Sequence, residues 1–138
     1  MYKHRLYNFY TMEQDANPIY KHLHPDESDE FFTDERCHIL ELINSVDDRS
    51  QSIARARVEP GITTAWHRLV GTQETIVVQQ GEGRLELAEE EYVDVSVGDI
   101  VRIPKDTAQR ITNTSEEDLI FLCFCIPAFG SHCYESLE

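Results

Sequence analysis

The stretch GITTAWHRLVGTQETIVVQQG, Gly61 to Gly81, decides how the chain is read. Two short runs, "TAWHRL" and "ETIVVQQ", are separated by "VGT" and bounded at both ends by glycine, as strands joined by tight turns are. Alternation puts Ala65, His67 and Leu69 on one face of the first run, and Glu74, Ile76 and Val78 on one face of the second. If the two strands are neighbours and these faces share one interior, His67 and Glu74 bring an imidazole and a carboxylate to a single point. A metal ion suits such a point. So does a plain hydrogen-bonded His–Glu pair, which satisfies both buried groups without an ion.

Outward from this stretch the same texture continues. From Arg36 onward, "CHILELI", "SIARARVEP", "ITTAWHRL", "ETIVVQQ", "RLELA", "YVDVSV", "DIVRIP", "AQRITN" and "LIFLCFCI" read as nine strands, with "EPG", "GEG", "VGD", "PKD" and "NTSEED" as the breaks between them. Many short strands with hairpin-like breaks predict an all-β antiparallel sandwich or barrel over residues 36–138. Residues 1–35 differ. They are aromatic at first (Tyr2, Tyr7, Phe9, Tyr10, Tyr20) and then acidic through "HPDESDEFFTDE", and are expected to form an arm packed on the barrel or on a partner subunit.

The chain has 138 residues, one domain's worth, with a hydrophobic fraction of 41%. Its 12 basic and 26 acidic residues give a net charge of −14, which repels phosphate backbones and anionic membrane surfaces. Nucleic-acid binding is not expected. Neither is membrane insertion, since no apolar run approaches the roughly 18 residues that a span needs, and "MYKHRLYNFY" lacks a signal-peptide core. A cytoplasmic protein with reduced thiols is the expectation. Cys123 and Cys125, two apart in a strand, share a face and read first as small core residues; turned toward His67, a thiolate there would replace a missing ligand.

At residues 61–113 the sequence resembles the cupin family. The first cupin motif runs Gly, five residues, His-x-His, three or four residues, Glu, six residues, Gly, and Gly61, His67, Glu74 and Gly81 stand at its positions. Leu69 replaces the second histidine. The second motif runs Gly, five residues, Pro-x-Gly, two residues, His, three residues, Asn; Gly98, Pro104, Asp106, Gln109 and Asn113 occupy it, with Asp106 for the glycine and Gln109 for the histidine. The resemblance implies a double-stranded β-helix, the cupin jelly-roll barrel, whose mouth in many members holds a divalent metal on three histidines and a glutamate.

Carried over by position, the metal ligands become His67, Glu74 and Gln109: one nitrogen and two oxygens, a harder and weaker site for manganese, iron, nickel or zinc. The set falls one histidine short of the two-histidine, one-carboxylate arrangement of non-haem iron oxygenases. The resemblance thus implies a small organic molecule held in the barrel over a weakly bound divalent metal that acts as a Lewis acid, or alternatively with Glu74 as the catalytic proton carrier, in an isomerase, lyase or epimerase on a sugar-like or keto-acid substrate. The rival is a non-catalytic binding or sensing module. Open strand edges and the resemblance both point to a homodimer.

Other candidates have simpler explanations. Arg55 and Arg57 share a face with Ile53, and are expected to point outward to surface acids rather than inward as an anion clamp. Arg110 points outward if Gln109 points in. "HLHPD", His22 to Asp26, is expected to be a solvated piece of the arm.

Overall fold

Every one of the nine expected runs contributes a strand, and tight turns at their breaks fold them into two facing sheets. The structure, a computed structural model, describes residues 19–88 and 90–138. The strands are β1 Phe31–Phe32, β2 His38–Ile43, β3 Ser52–Val58, β4 His67–Leu69, β5 Gln73–Gln80, β6 Glu82–Leu87, β7 Glu91–Ser96, β8 Ile100–Ile103, β9 Gln109–Asn113, β10 Leu119–Ile126 and β11 Tyr134–Ser136. One sheet has the order β1-β2-β3-β10-β5-β8, the other β11-β4-β9-β6-β7, and neighbouring strands run antiparallel throughout. This is a double-stranded β-helix. Two strands, β1 and β11, go beyond the nine expected, and of "ITTAWHRL" only His67–Leu69 is a strand, joined to β9 also by a bridge between Thr63 and Thr112.

The turn "VGT" corrects one expectation. It does not join neighbours in a hairpin: β4 lies in the five-stranded sheet and β5 in the six-stranded one, so the chain crosses between sheets there. His67 and Glu74 therefore face each other across the barrel interior rather than along a ladder.

Alternating residues fill that interior. Val58, Ile76, Val78, Leu85, Val95, Ile103, Ile111, Leu119 and Phe121 interlock in one buried cluster, while Leu69, Cys125 and Cys133 form a second, smaller one beside Phe129 and Tyr134. The sheets approach so closely at Gly83 that a Cβ there would lie 2.8 Å from Leu119 Cδ2 and 2.9 Å from the Thr112 carbonyl oxygen, so a side chain is excluded. Asp106 stands where the family motif has glycine. It adopts the left-handed conformation (φ 64°), which aspartate tolerates better than most residues, and its carboxylate accepts the Gly71 N–H at 2.8 Å. The lost glycine is thus compensated by a hydrogen bond that glycine cannot make.

Outside the six-stranded sheet lies a 3₁₀ turn, Glu27–Asp29, capped by Asp26, whose carboxylate accepts the Ser28 N–H at 2.9 Å. Arg55 and Arg57 point outward to it: Arg55 Nη1 reaches Glu27 at 2.8 Å, and Arg57 donates to Glu30 and, at 3.1 Å, to Asp118. The end of the arm is thereby fastened to the barrel, with Phe31–Phe32 pairing against β2. In "HLHPD", His22 and His24 are exposed, and Asp26 serves as the cap. The arm's Tyr2, Tyr7, Phe9 and Tyr10 lie outside the described residues.

Candidate functional site

At one end of the barrel, where β3, β4, β5 and β9 begin and β2 and β10 finish, the two sheets splay around a cavity of about 80 Å³, several times the ~10–15 Å³ that one water needs. Ala54, Ala56, Ile76, Leu85, Ile111 and Phe121 make most of its wall apolar. The polar groups collect on the rim strands.

His67 opens β4 and stands opposite Gln109, its register partner on β9. The Nδ1 of His67 lies 2.8 Å from the Ala65 carbonyl oxygen, which can only accept, so Nδ1 carries the hydrogen and Nε2 of the neutral ring carries the lone pair. The ring stacks on Tyr134, with centroids 5.1 Å apart and an interplanar angle of 21°. Gln109, only 5% exposed, hydrogen-bonds the Glu74 carboxyl, and from β10 the Cys125 thiol reaches Glu74 Oε2 at 3.8 Å. His67, Glu74 and Gln109 are therefore brought together, in keeping with their motif positions. Leu69 is 3% exposed and packs with Cys125 and Cys133, so hydrocarbon and thiols occupy the corner where the family motif has its second histidine.

Three residues here escape a reading of the sequence. Glu35, on the turn between β1 and β2, is 9% exposed and places Oε1 3.6 Å from His67 Nδ1. Its own backbone oxygen accepts the Ala65 N–H at 3.1 Å, which ties the turn to the approach of β4. Tyr134 hydrogen-bonds the Glu35 carboxylate and supplies the stacking ring. Glu41, third of the inward set Cys37, Ile39 and Glu41, lines the cavity from β2. Alternation in "CHILELI" is the signal that could have found Glu41, since it puts the residue on an apolar inner face; Glu35 is lost in an acidic run and carries no local signal.

The model of the cupin domain matches residues 54–125, more than half of the chain. The chain belongs to the cupin family. An uncharacterised protein of Methanocaldococcus jannaschii is 32% identical to this cupin over 88 residues, which are 64% of this chain and 70% of that protein. Pac13, a nucleoside dehydratase from Streptomyces, superposes with a TM-score of 0.71 at 18% identity, over 86% of this chain and 92% of its own. A conserved protein with a double-stranded β-helix domain from Klebsiella pneumoniae gives a TM-score of 0.63 at 17% identity, covering 88% of this chain and 98% of that one. At such identities the structural likeness establishes the fold.

Burial governs the acid–base character of this cupin's cavity. It raises the Glu74 pKa above the ordinary carboxylate range; His67 opposes the shift, Glu35 adds to it, and the hydrogen bonds from Gln109 and Cys125 oppose it. Burial also pushes Glu41 up to about 7, against the Asn44 hydrogen bond and the charge of Arg49. The thiols are driven the same way, Cys37 up to about 12 and Cys123 and Cys125 also well above an ordinary thiol, chiefly by burial. They stay protonated at neutral pH. A thiolate ligand from the Cys123/Cys125 face, in place of the lost histidine, has no support from these surroundings.

Among the described residues no three His, Cys, Asp or Glu side chains gather as a metal site. The expected set uses only two of those types, with Gln109 as the third donor. Its chemistry fits a divalent cation: the Ala65 carbonyl orients His67 from behind in the manner of metal-bound imidazoles, and the Glu74 carboxyl and the Gln109 amide line the same cavity.

Proposed function

We propose that this cupin holds a small hydroxylated carbonyl compound in the barrel mouth and moves protons on it, as a lyase, isomerase or epimerase. The observation that carries this reading is the convergence of His67, Glu74 and Glu35 at one end of an otherwise apolar cavity. Glu74, whose neutral form is favoured by burial, is suited to give a proton to a leaving or enolising oxygen. His67 is suited to take one from carbon at Nε2, while Glu35 behind Nδ1 stabilises the imidazolium that results. The stacked ring of Tyr134 and the Ala65 carbonyl hold the imidazole in place. Pac13 is a nucleoside dehydratase, and eliminating water asks for one acid and one base, the complement offered here.

Where a divalent cation is bound instead, it would be held by His67, Glu74 and Gln109, with Nε2 and the Glu74 carboxylate then committed to the cation rather than to proton transfer, and it would supply Lewis-acid polarisation of the carbonyl oxygen. Of the two substrate classes suggested by the sequence, the sugar-like one suits the lining better than the keto acid, because Glu35, Glu41 and Glu74 oppose an added carboxylate. The second reading, a binding or sensing module, is favoured by one observation: the packing of Leu69 with Cys125 and Cys133 has closed one ligand position. The homodimer belongs to the proposal as well. Strands β7 and β8 are edges of their sheets, and Ile100 and Val93 on them are exposed.

Solvent-deuterium incorporation into a panel of hydroxy-aldehydes and hydroxy-ketones, monitored by NMR, tests proton transfer without knowledge of the product. Exchange by the wild type that disappears in His67→Ala supports catalysis. Binding without exchange, in protein with or without added manganese, iron, nickel or zinc, supports the sensing module. Metal content by mass spectrometry on untagged protein and on His67→Ala measures the cation's share.

A further inference from the structure

The polar wall of the cavity continues past the groups that move protons. Along the inner face of the six-stranded sheet, Glu74 on β5 pairs with Cys125 on β10, and Cys125 with Ser52 on β3. The next strand is β2, where Glu41 pairs with Ala54. Glu41 and Glu74 are thus three strand spacings apart, roughly 14 Å along the sheet, with the Cys125 thiol between them and under the field of both carboxyls.

Glu41 is poorly served by its own surroundings. Its one hydrogen bond is to Oε2, from Asn44 Nδ2 at 3.4 Å; Oε1 accepts none from the described residues. Arg49 acts on it electrostatically, but that guanidinium hydrogen-bonds Asn44 Oδ1, the Ser45 carbonyl and the Phe129 carbonyl and does not line the cavity. The one arginine or lysine that does line it, among the described residues, is Arg110, which is held by Glu86 at 2.6 and 3.1 Å with its guanidinium over the Trp66 ring. A carboxyl facing an apolar cavity and supplied with one long hydrogen bond costs stability unless a ligand completes it.

From this placement we infer that Glu41 is a specificity residue, and that the ligand carries a positively charged nitrogen which Glu41 receives while the reacting carbons lie at Glu74 and His67. The ligand class is an amino sugar or amino polyol rather than a neutral or acidic one. This rests on the cavity being the binding site proposed above, and it narrows the ligand to one charge. The shift of Glu41 up to about 7, caused first by burial, agrees: the empty site favours the neutral carboxyl, and an ammonium partner would stabilise the charged one.

Three probes of nearly equal size and different charge test it: serinol (cationic), glycerol (neutral) and glycerate (anionic), titrated into the full chain at pH 8 while backbone amide shifts of the cavity strands are recorded. Serinol is expected to bind about tenfold more tightly than glycerol, with glycerate the weakest, and its largest shifts on β2 and β3. Glu41→Gln, with its amide spectrum confirming the fold, is expected to bring serinol down to glycerol's affinity; Glu74→Gln is expected to leave most of the preference. Equal binding of serinol and glycerol, a preference for glycerate, or a preference that survives Glu41→Gln overturns the assignment of Glu41 while leaving the cavity as a binding site. No shift of any cavity amide with any probe overturns both.

Discussion

Strand β3 presents glutamates with two opposite environments. On its outer face Arg55 and Arg57 meet Glu27, Glu30 and Asp118; on its inner face Ala54 and Ala56 line the cavity that contains Glu35, Glu41 and Glu74. Outside, hydrogen bonds from Arg57 and then Arg55 hold Glu30 below the ordinary range although it is only 15% exposed. Inside, with alanine in place of arginine, burial raises Glu41 and Glu74. One residue type is held toward its charged form on one side of a strand and pushed toward its neutral form on the other. The difference lies in what the neighbouring strand offers, so a glutamate's role here is set by the parity of the residues facing it.

The largest effect expected from breaking this contrast falls on the inner face. His67→Ala and Glu74→Gln remove the proposed base and the proposed acid respectively, and each is expected to lower the deuterium exchange rate by ~10²–10⁴-fold while the amide spectrum stays that of a folded barrel. Wild-type rates in either variant would show that these groups do not move the proton.

Stability against pH gives the next effect. Glu41 ionises near 4.5 when unfolded and near 7 when folded, so between those values the folded state binds more protons than the unfolded state. Its contribution is intact below about 4.5 and is lost as pH rises to about 7. Glu41→Gln removes this loss: near wild type at pH 5, it is expected to be the more stable by up to ~3 kcal/mol at pH 8 in urea melts. A pH-independent difference would mean that the carboxyl ionises normally. Stabilisation on loss of Glu41 is also what a group kept for ligand recognition predicts.

On the outer face Arg57→Ala leaves Glu30 with Arg55 and removes the link to Asp118. The expected cost is ~1–2 kcal/mol, reduced by added salt, because the cluster is partly screened by solvent. A salt-independent cost would trace it to packing of the arginine stem instead.

Much of this arrangement is legible in the sequence. Alternation puts both arginines of β3 on one side and the cost of burying them favours the outer one, while the motif spacing at Gly61, His67, Glu74, Gln109 and Asn113 points to the barrel's mouth. Asn113, a family position, turns out to be a structural anchor, its Nδ2 donating to the Val58 and Glu117 carbonyls at 2.9 and 2.8 Å. The route between β4 and β5 is not legible, because a short glycine-containing turn looks the same whether it closes a hairpin or crosses between sheets. Glu35 and Tyr134 are hidden for a different reason. They reach His67 from positions 32 residues before and 67 after it in the chain, through the β1–β2 turn and through β11, and no local spacing encodes such a meeting. Sequence periodicity tells which face a residue takes; what stands opposite is decided by topology.

The smallest effect sharpens the comparison most. Glu27 shares Arg55 with Glu30 but is 73% exposed, against 15% for Glu30. Both carboxylates have pKa values lowered first by an arginine hydrogen bond, so charge pairing alone ranks them as similar. Desolvation separates them: water replaces Arg55 at Glu27 with little loss, whereas Glu30 stands between two arginines that are each about three-quarters buried. Glu27→Gln is therefore expected to leave the melting temperature unchanged, while Glu30→Gln lowers it at least as much as Arg57→Ala does. Equal losses from the two glutamates would mean that the arm's 3₁₀ turn, rather than the burial of Glu30, fastens it to the sheet.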